Sequence, residues 1–219
     1  MGRGLELSAI FAACLALCVP GTARAQMQSA SGGVRASVGP ALVVPRPPAY
    51  LGDAAGAGEP PHNQWHVGLG TESRSIGVFV EHRPGLAPWA AEQISHVLKA
   101  WNAVEGSPVR FHLTSDAGGS QVRVRWIDRF ADSLAGLTEI ETDPAGRISH
   151  ATVTLALRHQ QGLPMGPEFL RMVGLHEFGH VMGLPHSEDP RDVMHPGNRN
   201  LRLSPRDVGT TLRLYRAEK

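Results

Sequence analysis

Cysteine is almost absent from this chain. Only Cys14 and Cys18 occur among its 219 residues, and both lie within the first 25. If those residues are removed, the remaining chain must fold without any disulfide, even in an oxidising compartment. The sequence is therefore not one of the small secreted scaffolds that depend on several disulfides for their stability.

Long runs of one charge sign and long apolar runs are also missing. The chain has 21 Lys and Arg against 20 Asp and Glu, which gives a formal net charge of +1. This balance argues against a charge-based role on nucleic acid or on a membrane surface. Because no apolar run reaches the roughly 20 residues of a spanning helix, we expect no stable membrane span.

Residues 1–25 have the pattern of a secretory signal peptide. Arg3 precedes an apolar run from Ser8 to Val19, and Ala23-Arg24-Ala25 supplies small residues for cleavage. We therefore expect a secreted protein, either extracellular or periplasmic. A lipid anchor at Cys14 is the alternative to simple cleavage.

Residues 26–61 predict a flexible tail, because they are rich in Ala, Gly, Pro and Ser and lack sustained periodicity. The segment has too few large apolar residues to fold on its own. A simple spacer is the favoured interpretation, and a tail that lies through an active-site cleft before its removal is the alternative. Residues 62–219 then form one domain, in which His62 and His66 are expected at the surface.

This domain alternates strand and helix patterns. One helix begins near Pro88 and stops at Gly106, and a second is expected from about Pro167 to Leu184. Apolar and β-branched segments predict strands at Ser75–Glu81, Val109–Leu113, Gln121–Ile127, Ser133–Ile140 and Ile148–Leu157. The arrangement predicts an α+β fold in which α/β-like layers of helices pack on a sheet.

The segment HEFGHVMGLPH, His176–His186, predicts a metal site. His176 and His180 are four residues apart, so on a helix they share one face and both imidazoles can reach one zinc ion. Glu177 is turned about 100° round the helix from His176. Its carboxylate would lie beside the metal, where the general base for a zinc-activated water is needed.

A glycine in the same segment makes room for a third ligand. Gly183 can adopt a positive φ, which ends a helix and turns the chain back. His186 can then return from a loop to the same ion, which leaves a fourth position open for water and substrate. Each feature alone is common, but the five fixed positions together are typical of hydrolytic zinc sites.

This pattern, H-E-x-x-H-x-x-G-x-x-H followed by Met194, resembles the metzincin clan of zinc endopeptidases, with Met194 at the place of the methionine turn. Within that clan the chain most resembles the matrixins, the matrix metalloprotease family. The features that carry this likeness are His186-Ser187, Asp189-Pro190, Val193-Met194 and the closing segment Leu203–Tyr215. The likeness extends from about Ser75 to Tyr215 and is strongest over the last third.

The resemblance implies both a fold and an activity. The implied fold is a zincin-like catalytic domain with a twisted, mostly parallel sheet, an antiparallel edge strand, an active-site helix and a C-terminal helix, and we expect a monomer. The implied activity is that of a secreted zinc-dependent metalloendopeptidase with one catalytic Zn²⁺. Glu177 would be its general base, and Met194 would form a hydrophobic floor beneath the metal.

The resemblance also implies where a substrate binds. In the matrixin order Ser133–Ile140 is the edge strand at the cleft, and a protein or peptide substrate adds to it as another strand. Leu137 and Thr138 would then contact substrate mainly through backbone groups, although an ordinary loop is an equal alternative for this segment. Pro196 would line the substrate pocket, but its neighbours lack the tyrosine that is common there in the family.

The chain departs from the family pattern in several places. It lacks the cysteine latch that keeps many matrixins inactive, and His150 stands without the acidic neighbours of a structural zinc site, so it reads as a strand residue. His195 replaces the usual tyrosine and is expected behind the zinc ligands or in the pocket wall. Bound Ca²⁺ is possible but unsupported, because no recognisable spacing relates the acidic residues Asp128, Asp132, Glu139, Glu141 and Asp143.

Two other functions are compatible with the same residues. A non-catalytic secreted binding module could keep the zinc as a structural staple, but the intact Glu177 and the lack of a fourth protein ligand in the motif argue against it. The other is an enzyme that trims one specific peptide or its own tail, with little general proteolysis.

Overall fold

The computed structural model of the chain describes residues 11–16, 50, 64–67 and 73–215, with only the backbone described for 11–16. Most of the expected signal peptide and tail, together with His62, lies outside these residues. Within them, no helix is both long and apolar enough to cross a membrane. The elements are β1 (Phe11–Ala16), β2 (Arg74–Val80), α1 (Pro88–Asn102), β3 (Val109–Leu113), β4 (Val122–Ile127), β5 (Leu134–Thr142), β6 (Ile148–Ala156), α2 (Pro167–Val181) and α3 (Pro205–Leu214).

The strands form one mixed sheet in the order β1-β5-β6-β4-β2-β3. The four strands β3, β2, β4 and β6 run parallel, and β5 pairs antiparallel with β6. This confirms the predicted α+β fold with a mostly parallel sheet and an antiparallel strand beyond it. The outer side of β5, expected to be free, pairs antiparallel with β1, because the backbone groups of an open edge readily accept another strand.

Alternation along β4 decides which face of the sheet meets the core. Val122, Val124 and Trp126 are buried, whereas Arg123 and Arg125 between them are exposed. This is the period-2 pattern of a strand with one apolar face and one solvated face. Arg123 and Arg125 therefore line a solvated surface.

Helix α2 is buried along most of its length, from Met172 to Val181. It lies so close to α1 that a Cβ at Gly174 would come within 2.9 Å of the Val97 side chain. The indole of Trp101 donates a hydrogen bond of 3.1 Å to the carbonyl of Leu175 and locks the two helices together. The helix that carries the histidine motif is therefore a rigid core element.

Residues near the two ends of the domain both bond to the C-terminal end of α2. The indole of Trp65 donates to the carbonyl of Val181 at 2.8 Å, and the hydroxyl of Tyr215 donates to the carbonyl of Met182 at 3.0 Å. Helix α3 begins with a capping box in which Ser204 and Asp207 exchange hydrogen bonds with each other's backbone. These contacts hold the end of α2 in place. His66 is exposed, as predicted.

Candidate metal centre

Three imidazoles converge at the end of α2. The Nε2 atoms of His176, His180 and His186 lie 3.2, 3.2 and 3.3 Å from one another. An ion about 2.0–2.1 Å from each nitrogen of a tetrahedral site requires nitrogen separations of about 3.3–3.4 Å. The triangle in this chain therefore has the size of one face of a zinc tetrahedron.

Backbone carbonyls fix the tautomers of two of these rings. Nδ1 of His176 donates to the carbonyl of Val193 at 2.7 Å, and Nδ1 of His180 donates to the carbonyl of Leu184 at 2.9 Å. In the neutral rings each Nε2 is then an acceptor without a proton. Acceptor nitrogens so close together repel unless a cation lies between them, so the donor set fits Zn²⁺.

Burial keeps these rings neutral. It lowers the pKa of His176 to about 3, with the neighbouring His186 adding to the effect. Burial also lowers the pKa of His180 well below its usual value. A neutral imidazole is the form that ligates a metal, so the site is ready for an ion at neutral pH.

The turn after α2 delivers His186 as the third imidazole. Gly183 has a φ of +88°, as the sequence predicts, and α2 ends at Val181, three residues earlier than expected. The amide of Leu184 donates to the carbonyl of Gly179 at 2.9 Å, which closes the helix and reverses the chain. His186 is half-buried on the returning segment.

Glu177 is completely buried between α2 and β5. The hydroxyl of Thr138 lies 2.7 Å from its Oε2 and 3.1 Å from its backbone oxygen, whereas Oε1 has no hydrogen-bond partner among the described residues. A Cβ on Gly136 would come within 2.5 Å of Oε1, so this strand position needs glycine.

The electrostatics of Glu177 follow from this environment. Burial raises the pKa of Glu177 to about 8 in the metal-free protein, and the hydrogen bond from Thr138 opposes the rise. A divalent cation on the neighbouring imidazoles would favour the carboxylate and lower that pKa. With one bare oxygen, the group has the capacity to accept a proton.

Met194 is completely buried and packs against Gly179, where any Cβ would overlap its sulfur. The loop that contains Met194 is held from behind by Asp207 of α3. That carboxylate accepts hydrogen bonds from the amides of Val193 at 2.9 Å and Met194 at 3.4 Å. The loop is thus fixed both by packing and by a buried carboxylate.

The other predicted residues surround this centre less closely. Leu137 on β5, His195 and Pro196 are all half-buried, and Nδ1 of His195 accepts from the amide of Gly197 at 3.0 Å. Thr138, expected to act through its backbone, is fully buried and uses its side chain to hold Glu177.

Sequence reasoning misses three features of the site. It does not foresee the hydroxyl of Thr138 on Glu177, the need for Gly136, or the carboxylate of Asp207 behind the loop. A glycine inside a strand pattern signals close approach of another group, and would have pointed to Gly136. The capping pattern Ser-x-x-Asp indicates the helix start at Ser204, but not the second role of its aspartate.

Comparison with known proteins decides the family. The family model described as Matrixin matches residues 88–216, more than half of the chain. The chain belongs to the matrixin family. This matrixin is 41% identical over 63 residues to the matrilysin of Felis catus, and 49% identical over 49 residues to the 72 kDa type IV collagenase of Gallus gallus.

These two matches are short. They cover 26% and 21% of this chain, and 24% of the matrilysin and 7% of the collagenase. The family itself uses a catalytic zinc ion, which confirms the predicted cofactor, and His176, His180 and His186 form a group that can hold a metal ion. The roles of individual site residues stay predictions.

Proposed function

We propose that this matrixin is a secreted zinc-dependent metalloendopeptidase with Glu177 as its general base. The observation that carries the proposal is the pairing of two features. Three imidazole nitrogens lie 3.2–3.3 Å apart, two of them unprotonated because their rings donate through Nδ1, and beside them is a buried carboxylate with one oxygen that no described group satisfies. A zinc hydrolase needs both a metal with an open position and a nearby base.

Each residue has a distinct task in this proposal. His176, His180 and His186 hold the metal, which when bound supplies a Lewis acid that activates water and polarises the peptide carbonyl. Glu177 accepts a proton from the attacking water and later delivers it to the departing amine nitrogen. Thr138 fixes the carboxylate by its other oxygen, so that Oε1 stays available.

A peptide substrate would bind by strand addition at β5. The support comes from β1, which pairs antiparallel with β5 from Phe11 opposite Ile140 to Ala16 opposite Leu134. The outer side of β5 is therefore able to accept an antiparallel strand through backbone hydrogen bonds. Leu137 and Thr138 would offer their backbone groups there, and Pro196 would line the pocket beside the metal.

Secretion is part of the proposal because of the leader-like residues 1–25. A chain cleaved after Ala25 has no cysteine left to oxidise or to act as a latch. We place the protein outside the inner membrane, in the periplasm or the extracellular space. The N-terminus of the exported protein, read by mass spectrometry, tests this, and an intact Met1 would contradict it.

The main test compares zinc content and hydrolysis in Glu177→Ala. Hydrolysis of casein, sensitive to a hydroxamate inhibitor, is expected to fall about 10²–10⁴-fold, the usual contribution of a general base. Zinc content measured by elemental analysis should not change. Glu188→Ala serves as the control, because Glu188 is an exposed carboxylate in the loop that follows the motif.

The same experiment distinguishes the rival binding module. If the wild-type protein binds one zinc but hydrolyses neither casein nor a peptide library, the peptidase proposal fails. The protein is then better described as a binding module that zinc stabilises. If Glu177→Ala retains full turnover, the enzyme stands but the role of Glu177 is wrong.

A second test removes one ligand. His180→Ala is expected to weaken zinc binding by at least about a thousandfold and to lower the thermal stability of the protein, because metal-binding free energy adds to folding free energy. Zinc content after dialysis against a chelator, with thermal melts followed by circular dichroism, measures both. Replacing the exposed His150 by Ala is the control, and unchanged zinc in His180→Ala would rule out the ligand assignment.

A further inference from the structure

Tyr50 lies within the segment 26–61 but is completely buried against α3. Its backbone amide donates to the hydroxyl of Thr210 at 3.1 Å, and its own hydroxyl donates to Oδ1 of Asp207 at 3.1 Å. The guanidinium of Arg206 lies 5.5 Å from the centre of its ring. Three separate contacts therefore hold this one side chain in a defined place.

Asp207, which accepts the hydrogen bond from the Tyr50 hydroxyl, also holds the loop that contains Val193 and Met194, here called the methionine loop. Oδ1 of Asp207 accepts from the amide of Met194, and Oδ2 accepts from the amide of Val193. The carbonyl of Val193 in turn accepts from Nδ1 of His176 at 2.7 Å. Since the Val193 carbonyl and the Met194 amide belong to one peptide plane, tilting that plane tilts the acceptor of the His176 ring.

We propose that Tyr50 is a positioning residue of the metal centre. Its hydroxyl orients the Asp207 carboxylate, which orients the Val193–Met194 peptide, which in turn sets the direction of His176 Nε2. Groups that hydrogen-bond to ligating histidines orient them and strengthen metal binding. The inference depends on His176 being a zinc ligand, and it stands whether or not the protein hydrolyses peptides.

The hydroxyl, rather than the ring, is the group that acts. Burial, with the negative charge of Asp207 nearby, raises the pKa of Tyr50 well above its usual value, so the phenol keeps its proton and stays a donor. Without it, Oδ1 of Asp207 would keep the longer contact from the amide of Met194 at 3.4 Å. The Tyr50→Phe change removes this donor while the ring stays beside Arg206.

The competing explanation is that Tyr50 only fastens its segment to α3. A fastening role predicts a loss of stability in Tyr50→Phe with no change in how the site holds a metal. A positioning role predicts a change at the metal itself. Zinc affinity and the visible spectrum of the Co²⁺-substituted protein separate the two, since both respond to the geometry of the ligands.

The experiment compares Tyr50→Phe with Tyr215→Phe in the full chain. Tyr215 is the other tyrosine of the chain, is also buried, and its hydroxyl bonds the carbonyl of Met182 instead of Asp207. Zinc dissociation constants are measured by competition with a chelator. We expect a rise of about three- to tenfold in Tyr50→Phe, below the 10–100-fold typical of direct partners of a ligand, and less than twofold in Tyr215→Phe.

A double-mutant cycle tests the route through Asp207. If Tyr50 acts through that carboxylate, Tyr50→Phe adds nothing to the zinc defect of Asp207→Asn. The Co²⁺ absorption bands should shift in Tyr50→Phe and stay as in wild type in Tyr215→Phe. Should Asp207→Asn fail to fold, the comparison of the two tyrosine variants decides by itself.

Three results would overturn the inference. The first is a zinc affinity and a Co²⁺ spectrum in Tyr50→Phe that match the wild type. The second is an equal change in both tyrosine variants, which would indicate a general loosening of the domain. The third is additive zinc defects in the Tyr50→Phe and Asp207→Asn cycle.

Discussion

Glu177 lies within the histidine motif and Asp207 lies behind the loop that contains Met194; both are fully buried carboxylates, yet they have opposite surroundings. Asp207 accepts hydrogen bonds from two backbone amides of the methionine loop, from the amide of Ser204 and from the hydroxyl of Tyr50. Among the described residues, the carboxylate of Glu177 accepts a hydrogen bond only from Thr138, on one of its oxygens.

This difference fits a structural role for Asp207 and the proposed chemical role for Glu177. Burial raises the pKa of both groups, but backbone amides oppose the rise at Asp207, whereas at Glu177 only one hydroxyl does so. A carboxylate whose oxygens are all bonded holds loops together. One that keeps a bare oxygen can still take up a proton, which is the task of a general base.

The largest effect on stability should follow from replacing Asp207, whose two carboxylate oxygens both accept hydrogen bonds. Asp207→Asn replaces one acceptor oxygen by an amide group that faces backbone N–H donors. We expect the free energy of unfolding to fall by about 2–3 kcal/mol, the usual result of losing hydrogen bonds to a buried charged group. Urea denaturation of the zinc-free protein measures it.

The control for this variant is Asp116→Asn. Oδ1 of Asp116 also accepts two backbone amides, from Gly118 and Gly119, but the residue is exposed. Asp116→Asn should lower the free energy of unfolding by less than about 1 kcal/mol, because water can replace the lost hydrogen-bond partners. Equal destabilisation by both variants would contradict the structural role of Asp207.

Replacing the carboxylate of Glu177 should stabilise the zinc-free protein, whereas replacing that of Asp207 destabilises it. In the zinc-free protein the pKa of Glu177 is raised from 4.5 to about 8, so between these values the folded state binds a proton that the unfolded state has lost. Stability from this group therefore falls as the pH rises through that window. Glu177→Gln removes this loss and is expected to be more stable than wild type by about 2 kcal/mol at pH 8.

Unfolding free energies measured at pH 4 and pH 8 check this sign. Near pH 4 the two proteins should be alike, because the carboxyl is protonated in both states of the wild type. His176, whose lowered pKa acts in the other direction, is present in both proteins and cancels in the comparison. A wild type that is more stable than Glu177→Gln at pH 8 would show that the carboxylate is satisfied after all.

The smallest effect is expected from removing the hydroxyl of Thr138, which donates to Glu177. Thr138→Val keeps the shape of the side chain and removes the hydroxyl, so the Glu177 carboxylate loses the one hydrogen bond that the described residues give it. We expect kcat on a peptide substrate to fall about tenfold, equivalent to about 1.4 kcal/mol, with KM and zinc content within twofold of wild type.

Thr138→Ser supplies the rescue, because serine offers the same hydroxyl. It should recover most of the lost kcat. If Thr138→Ser is as slow as Thr138→Val, packing of the γ-methyl group, and not the hydrogen bond, determines the position of Glu177.

The local features of the fold are those that sequence patterns predicted well. Apolar and β-branched residues in Gln121–Ile127 predicted β4, and Pro88 and Pro167 predicted the starts of α1 and α2, since both lie at first helical positions. Gly183 takes the expected positive φ. These features depend on neighbours a few residues apart, which a sequence displays directly.

Contacts between distant segments escaped prediction. Thr138 reaches Glu177 across 39 positions, and Tyr50 reaches Asp207 across 157. The composition of residues 26–61 gives no sign that one tyrosine among them is buried. Packing of β5 against α2, and of Tyr50 against α3, brings these partners together, and no local period encodes either contact.

The sequence by itself determined which three imidazoles could hold a metal ion, because helix periodicity and one glycine suffice to bring His176, His180 and His186 together. It also determined the family, through a motif whose residues are close neighbours in the chain. Only the tertiary structure decided how Glu177 and Asp207 differ. That difference arises from which donors the folded chain brings to each carboxylate, and two of these donors, Thr138 and Tyr50, lie 39 and 157 positions away in sequence.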